Sequence, residues 1–155
     1  MSDVLESLNG LVVPLAEQAL LLPNVAVAEL VGFRLNRVQE NAPSWFLGWT
    51  LWRDQQVPVV DPYVLLNEQP DETGRQPRTV ILNAIGERAG VHFIAMRVWS
   101  IPRSRKVTRG EMSHVEASIP YVLQSVRLGE EPQILSIPDL LGIEQTLETA
   151  GLLRP

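Results

Sequence analysis

Few side chains in this sequence could do covalent chemistry. It has two histidines, His92 and His114, and no cysteine. The missing thiol removes disulfides, thiolate metal ligation and a cysteine nucleophile, and it suits a reducing cytoplasm. Ser113 and His114 are adjacent, but neighbouring residues rarely face one another, and no glycine-flanked elbow holds the serine. His92 lies in Val91-His-Phe-Ile-Ala-Met96, where alternation makes it a strand-face residue. Two isolated histidines do not supply the three or four ligands of a metal site. Gly86-Glu-Arg-Ala-Gly90 has the spacing of neither common phosphate-binding glycine motif. The sequence therefore predicts no enzyme, no metal and no cofactor.

What remains is the chemistry of contact. Arg97, Arg103, Arg105, Lys106 and Arg109 fall within thirteen residues. As a loop on an OB-like barrel, segment 97–109 could grip a phosphate backbone, which gives an alternative reading as a nucleic-acid-binding module. The net charge of −5 and the lack of interleaved aromatics after Trp99 favour a solvated face or an acidic protein partner instead. Trp45, Trp49 and Trp52 crowd into eight residues. Strand alternation aims Trp45, Leu47, Trp49 and Leu51 one way and Phe46, Gly48, Thr50 and Trp52 the other. Both faces then carry a bulky aromatic, either within a two-barrel core or as an interface anchor. In Gly48–Asp61, two apolar runs flank a charged turn, and Arg53 stands there without any packing need for it.

Short elements must position these groups. Twelve prolines scattered over 155 residues leave little room for long helices. Four hairpins are expected: Leu11–Ala16 with Ala19–Leu22 around Glu17-Gln18; Phe46–Trp52 with Val57–Asp61; Thr79–Ile85 with Val91–Trp99; and Tyr121–Leu128 with Gln133–Ile137. Val25–Val31 is ambiguous between a helical turn and a strand. One helix is expected over Asp139–Ala150, entered after Pro138, with Leu140, Leu141, Ile143 and Leu147 on one face and Gly151 at its end. Asn67–Arg78 reads as a short polar linker. A faint repeat lays Trp45–Leu65 over Tyr121–Leu141. The most apolar stretch, Leu11 to Phe33, is interrupted too often to span a membrane, and the acidic start lacks a basic leader. A soluble cytoplasmic protein is expected.

The segment Gly48-Trp-Thr-Leu-Trp-Arg-Asp-Gln-Gln-Val-Pro-Val-Val-Asp61 resembles the CheW family of chemosensory coupling proteins, whose pattern runs Gly-x-x-Asn-Leu-Arg-Gly-x-x-x-Pro-x-x-Asp. Ala28-Glu29-Leu30 and Asn41-Ala-Pro43 keep the family's order and spacing, and the similarity extends from about Leu11 to Gly151. Leu51-Trp52-Arg53-Asp54 stands where the family has Asn-Leu-Arg-Gly, and Arg97 where it has an acidic residue. Leu21-Leu-Pro-Asn-Val-Ala-Val-Ala-Glu-Leu30, with Trp-Arg-Asp and Ile101-Pro-Arg-Ser, looks like the ChpC subgroup tied to type IV pilus twitching motility.

The resemblance implies a mainly β fold of two five-stranded SH3-like barrels side by side, with a short C-terminal helix at about 139–150. Residues 1–155 would form a single domain, with subdomains at about 11–68 and 78–138. It implies a non-enzymatic adaptor between methyl-accepting chemoreceptors and a CheA-type histidine kinase, able to meet other CheW-like proteins at receptor arrays. It also implies a partner-binding set of Glu29, Arg53, Trp52, Asp54 and Trp49, in which Glu29 and Arg53 form a charge-assisted pair.

Overall fold

The computed structural model describes residues 7–15, 18–67 and 76–155, with the side chain of Arg109 left aside. Eleven strands and two α-helices lie among the described residues. β1 (Ser7–Pro14) and β2 (Ala19–Pro23) form the first expected hairpin, whose tip at 16–17 falls outside the described residues. A 3-10 turn at Asn24–Ala26 leads into β3 (Val27–Gly32), so the ambiguous segment is a turn followed by a strand. β4 (Phe46–Trp52) and β5 (Gln55–Val60) make the second hairpin, and α1 (Pro62–Asn67) follows at once. The expected linker lies mostly at 68–75, outside the described residues. β6 (Arg78–Asn83) and β7 (Phe93–Val98) form the third hairpin. β8 (Arg103–Thr108) and β9 (Met112–Val115) flank a 3-10 turn at Arg109–Glu111. β10 (Val122–Leu128) and β11 (Leu135–Pro138) form the last hairpin, followed by α2 (Leu140–Thr149).

The strands assemble into two sheets, in the orders β3-β6-β7-β5-β4 and β8-β1-β2-β11-β10-β9. The edge strands of each sheet are consecutive in the chain, which forces each sheet to curl until its ends meet. In the first barrel the segment after β3 closes the gap. The amides of Asn36 and Arg37 donate to the Trp49 carbonyl, and the Trp49 amide returns to the Arg37 carbonyl at 2.8 Å. A Cβ at Gly48 would collide with that Arg37 carbonyl, and the backbone there has φ +144°, so glycine is required at this crossing. In the second barrel the three residues Arg109–Glu111 bridge the edges.

This assembly corrects two expectations. The second barrel has six strands rather than five, because the basic segment expected as a loop contributes β8, and β9 follows it. The strands also do not divide between residues 11–68 and 78–138. β1 and β2 cross to the second barrel, while β6 and β7 complete the first. Parallel pairing explains the exchange: β5 lies beside β7 and β11 beside β2, and a parallel neighbour cannot come from the same hairpin.

The faint repeat has a structural counterpart. Val59 faces Ala95 across the first parallel pair, and Leu135, its equivalent in the repeat, faces Ala19 across the second. Bulges interrupt β4 between Phe46 and Gly48 and β10 between Val122 and Gln124, again equivalent places.

Three apolar clusters hold the molecule together. One fills the first barrel around Val57, Val59, Ile81 and Ala95, and another fills the second around Val12, Leu21, Val107, Val126 and Leu135. The largest lies between the barrels. Leu20 and Leu22 from β2 meet Leu82, Ile94 and Met96 from β6 and β7, and Leu140, Ile143 and Leu147 of α2 cover them. Strands β2, β6 and β7 are therefore buried on both faces, as their unbroken apolar runs require. Truncating a leucine in such a setting costs about 2–5 kcal/mol.

Candidate partner-binding surface

The β4–β5 turn is tighter than expected. Trp52 pairs with Gln55, which leaves Arg53 and Asp54 as a two-residue tip. Their φ values are +48° and +62°, the pattern of a type I′ hairpin turn, where Asn-Gly is the usual choice. A left-handed conformation costs a non-glycine residue roughly 1–2 kcal/mol. The equivalent turn of the second barrel spends a glycine there: Gly129, at φ +57°. Both Arg53 and Asp54 are exposed, so core packing does not impose this strain.

Trp52 explains what holds the tip. Its Nε1 donates to Glu29 Oε2 at 2.9 Å. Its ring meets Phe93 edge-on, with centroids 4.7 Å apart at 88°. The Arg53 guanidinium carbon lies 4.3 Å from the indole centroid. An exposed cation–π contact contributes about 0.5–1 kcal/mol, which offsets only part of the backbone strain. Glu29 and Arg53 thus meet at one end of the first barrel, but not as the expected ion pair. The indole lies between them, taking the carboxylate on its N–H and the guanidinium on its face, and no Glu29–Arg53 bridge exists among the described residues.

Trp49 does not belong to this surface. Its side chain is 1% exposed, packs against Phe46 at 4.8 Å and donates Nε1 to the Leu152 carbonyl at 3.0 Å. Alternation alone puts Trp49 and Trp52 on opposite faces, and the bulge before Gly48 brings Phe46 onto the Trp49 side, so those two enter the inter-barrel core while Trp52 caps the first barrel. The two-sided aromatic strand resolves into one core tryptophan and one rim tryptophan.

The far end of the first barrel carries a second charged arrangement. Arg97 Nη2 reaches Asp61 Oδ2 at 2.6 Å, and the side chains are only 18% and 5% exposed. Asp61 Oδ1 also accepts the amides of Tyr63 and Val64, capping α1. Arg97 lies 4.8 Å from the Trp99 ring centroid. At the position where the resemblance implies an acid, this chain has Arg97, and the buried Asp61 receives it.

Glu144 is a structural anchor that its sequence position marks. It interrupts the apolar face of α2 between Ile143 and Leu147, and it is fully buried. Its carboxylate accepts the amides of Ile85 (2.7 Å) and Gly86 (3.1 Å) and the Arg88 Nη1 (3.1 Å). Arg88 also bridges Glu148 at 3.0 Å, and that hydrogen bond leads the effects pushing its guanidinium pKa up. A charged residue at helical spacing on a buried face always needs such partners.

The basic segment is dispersed. Arg97 is neutralised by Asp61, and Arg105 bridges Glu111 at 3.2 Å and Glu131 at 3.0 Å. Arg103 and Lys106 remain exposed along β8, too few for a phosphate track.

A family model described as a CheW-like domain matches residues 9–148. No curated protein matches the sequence. Solved structures do match the fold. One is the scaffolding protein TtCheW from Thermoanaerobacter tengcongensis, with TM-score 0.69 and 16% identity over 86% of this chain and 84% of that one.

Proposed function

The chain belongs to the CheW-like domain family, a family of non-enzymatic scaffolds, and from that membership we propose that it couples chemoreceptors to a CheA-type histidine kinase. The observation that carries this reading is the hairpin tip: an exposed arginine held in a strained turn, against an indole fixed by Glu29, on the rim of a rigid barrel. A solvated turn residue needs neither strain nor platform. Strain of this kind persists where a surface is shaped for recognition. Glu29, Trp52, Arg53 and Asp54 form the proposed contact set.

We read residues 1–155 as one unit, a reading supported by the inter-barrel core, which draws on both barrels and α2 together. Coupling then works by differential binding. A scaffold that holds receptor and kinase in register shifts kinase activity only as far as it binds one signalling state better than the other. The motifs Leu21–Leu30, Trp52-Arg-Asp54 and Ile101-Pro-Arg-Ser104 support a place in the ChpC subgroup, in a chemosensory pathway that controls twitching motility. Among the described residues no helix is long and apolar enough to cross a membrane. A cytoplasmic station at membrane-associated receptor arrays fits that reading.

The test is co-purification with the CheA-type kinase and receptor cytoplasmic fragments of the same organism. Arg53→Ala should weaken capture by about tenfold, as loss of a charged interface contact does, with the thermal melt unchanged. Equal capture by the variant removes Arg53 from the interface, and no capture by the wild-type chain removes the coupling role.

A further inference from the structure

The Trp52 indole is held on three sides: by Glu29 at its N–H, by the Phe93 edge, and by the Arg53 guanidinium over its face. From this we infer that Trp52 is a positioning residue, one that turns Arg53 into a pre-aimed receptor for a single carboxylate on a partner protein. The inference rests on the coupling reading for its partner, but it concerns the chemistry recognised, which that reading leaves open.

The geometry supplies the argument. The Arg53 guanidinium carbon lies 4.3 Å from the indole centroid, and a guanidinium held over a ring face by its charge still has five N–H donors to offer a carboxylate. No carboxylate of this chain occupies those edges among the described residues, in contrast with Arg88, Arg97 and Arg105, each of which is bridged to an acid. Glu29 is already engaged by the Trp52 N–H. Two parallel N–H groups on a fixed plane match the two oxygens of a carboxylate. A phosphate monoester has the same edge geometry but carries nearly two charges. With Glu29 and Asp54 beside a lone arginine, a dianion meets more repulsion than a carboxylate does. Without the indole, a flexible arginine at an exposed tip would lose rotamer freedom on binding. Stacking in advance removes much of that cost.

The test follows the Arg53 Nε–Hε and Trp52 Nε1–Hε1 signals of the whole 15N-labelled protein during titration with three short blocked alanine peptides. The first carries one Glu, the second Gln in its place, and the third phosphoserine. The Glu peptide should move both signals and the Gln peptide neither, with the phosphoserine peptide no tighter than the Glu peptide. Arg53→Lys, which keeps the charge but loses the fork, and Trp52→Leu, which loses the platform, should each weaken Glu-peptide binding by about two- to fivefold. Trp52→Phe restores a ring face without disturbing the barrel and should recover part of the loss. Three results overturn the inference: no response to the Glu peptide, equal response to Gln, or tighter binding of phosphoserine. So does an unchanged affinity in both Trp52→Phe and Trp52→Leu. If kinase capture still depends on Arg53 while the peptides fail, the carboxylate assignment falls and the coupling role stands. If the peptides bind and no kinase or receptor is captured, the reverse holds.

Discussion

Arg53 and Asp54 carry opposing demands of stability and recognition on adjacent residues. Replacing them by Asn-Gly would give the turn its preferred occupants and relieve backbone strain, at the loss of the stacked guanidinium. We expect the double variant to be more stable by roughly 1 kcal/mol, raising the melting temperature by about 2–4 °C for a chain of this size. The same variant should lose partner capture. A less stable variant would show that the turn is not strained. At the opposite rim, Arg97→Met should destabilise by about 3–5 kcal/mol, because Asp61 is left buried and unpaired. Asp61→Asn in the same background should recover part of that in urea unfolding, and an additive double mutant would deny the pairing. The family resemblance brought Glu29 and Arg53 together as a direct pair, and neither it nor the spacing placed the Trp52 indole between them. Glu29 lies on β3, across the barrel mouth from the hairpin, and which group meets the indole N–H depends on side-chain angles that periodicity does not encode.

At the scale of elements, apolar runs between turn residues located four hairpins and the C-terminal helix to within a few residues. Strands whose residues alternate between core and solvent, or lie buried on both faces, announce themselves in this way. β8 does not. Its Arg-Ser-Arg-Lys-Val-Thr run reads as a solvated loop, because Arg105 is satisfied by Glu111 and Glu131 rather than by water. α1 was hidden for another reason: six residues entered through a proline give too little periodicity to recognise. α2 is fastened more tightly than its apolar face alone would require. Glu144→Leu would strip the Ile85 and Gly86 amides and one arm of Arg88 of their acceptor. Even with the added apolar volume, the cost should be about 1–3 kcal/mol for the donors left bare, read from a lower urea midpoint with an unchanged slope. A midpoint equal to wild type would mean that water replaces the carboxylate.

For the whole molecule, the shared core between the barrels decides how the chain unfolds. Leu20 on β2 and Met96 on β7 belong to different barrels yet to one apolar cluster. Leu20→Ala and Met96→Ala should each cost about 2–5 kcal/mol. In each variant, tryptophan emission, which sums Trp45, Trp49, Trp52 and Trp99, all on or next to strands of the first barrel, should lose its signal together with far-ultraviolet dichroism, as one transition. Two separated transitions would mean independent barrels. The two-barrel architecture came from the family resemblance, while the exchange of hairpins between barrels left no trace in composition or spacing. Parallel strand pairing joins segments far apart in sequence, and nothing local records it.

That exchange has a temporal side. A ribosome delivers β1 and β2 first, yet β8, the first of their later neighbours, begins only 80 residues after β2 ends, and β11 later still. At ordinary elongation rates of about 5–20 residues per second, the hairpin waits roughly 4–16 s for its slot. During that interval the parts of their cluster already made are the first-barrel side of it, Phe46, Trp49 and Val60 and then Leu82, Ile94 and Met96. Synthesis order therefore predicts that the first barrel's side of the shared core is what the waiting hairpin meets before its own strand partners exist.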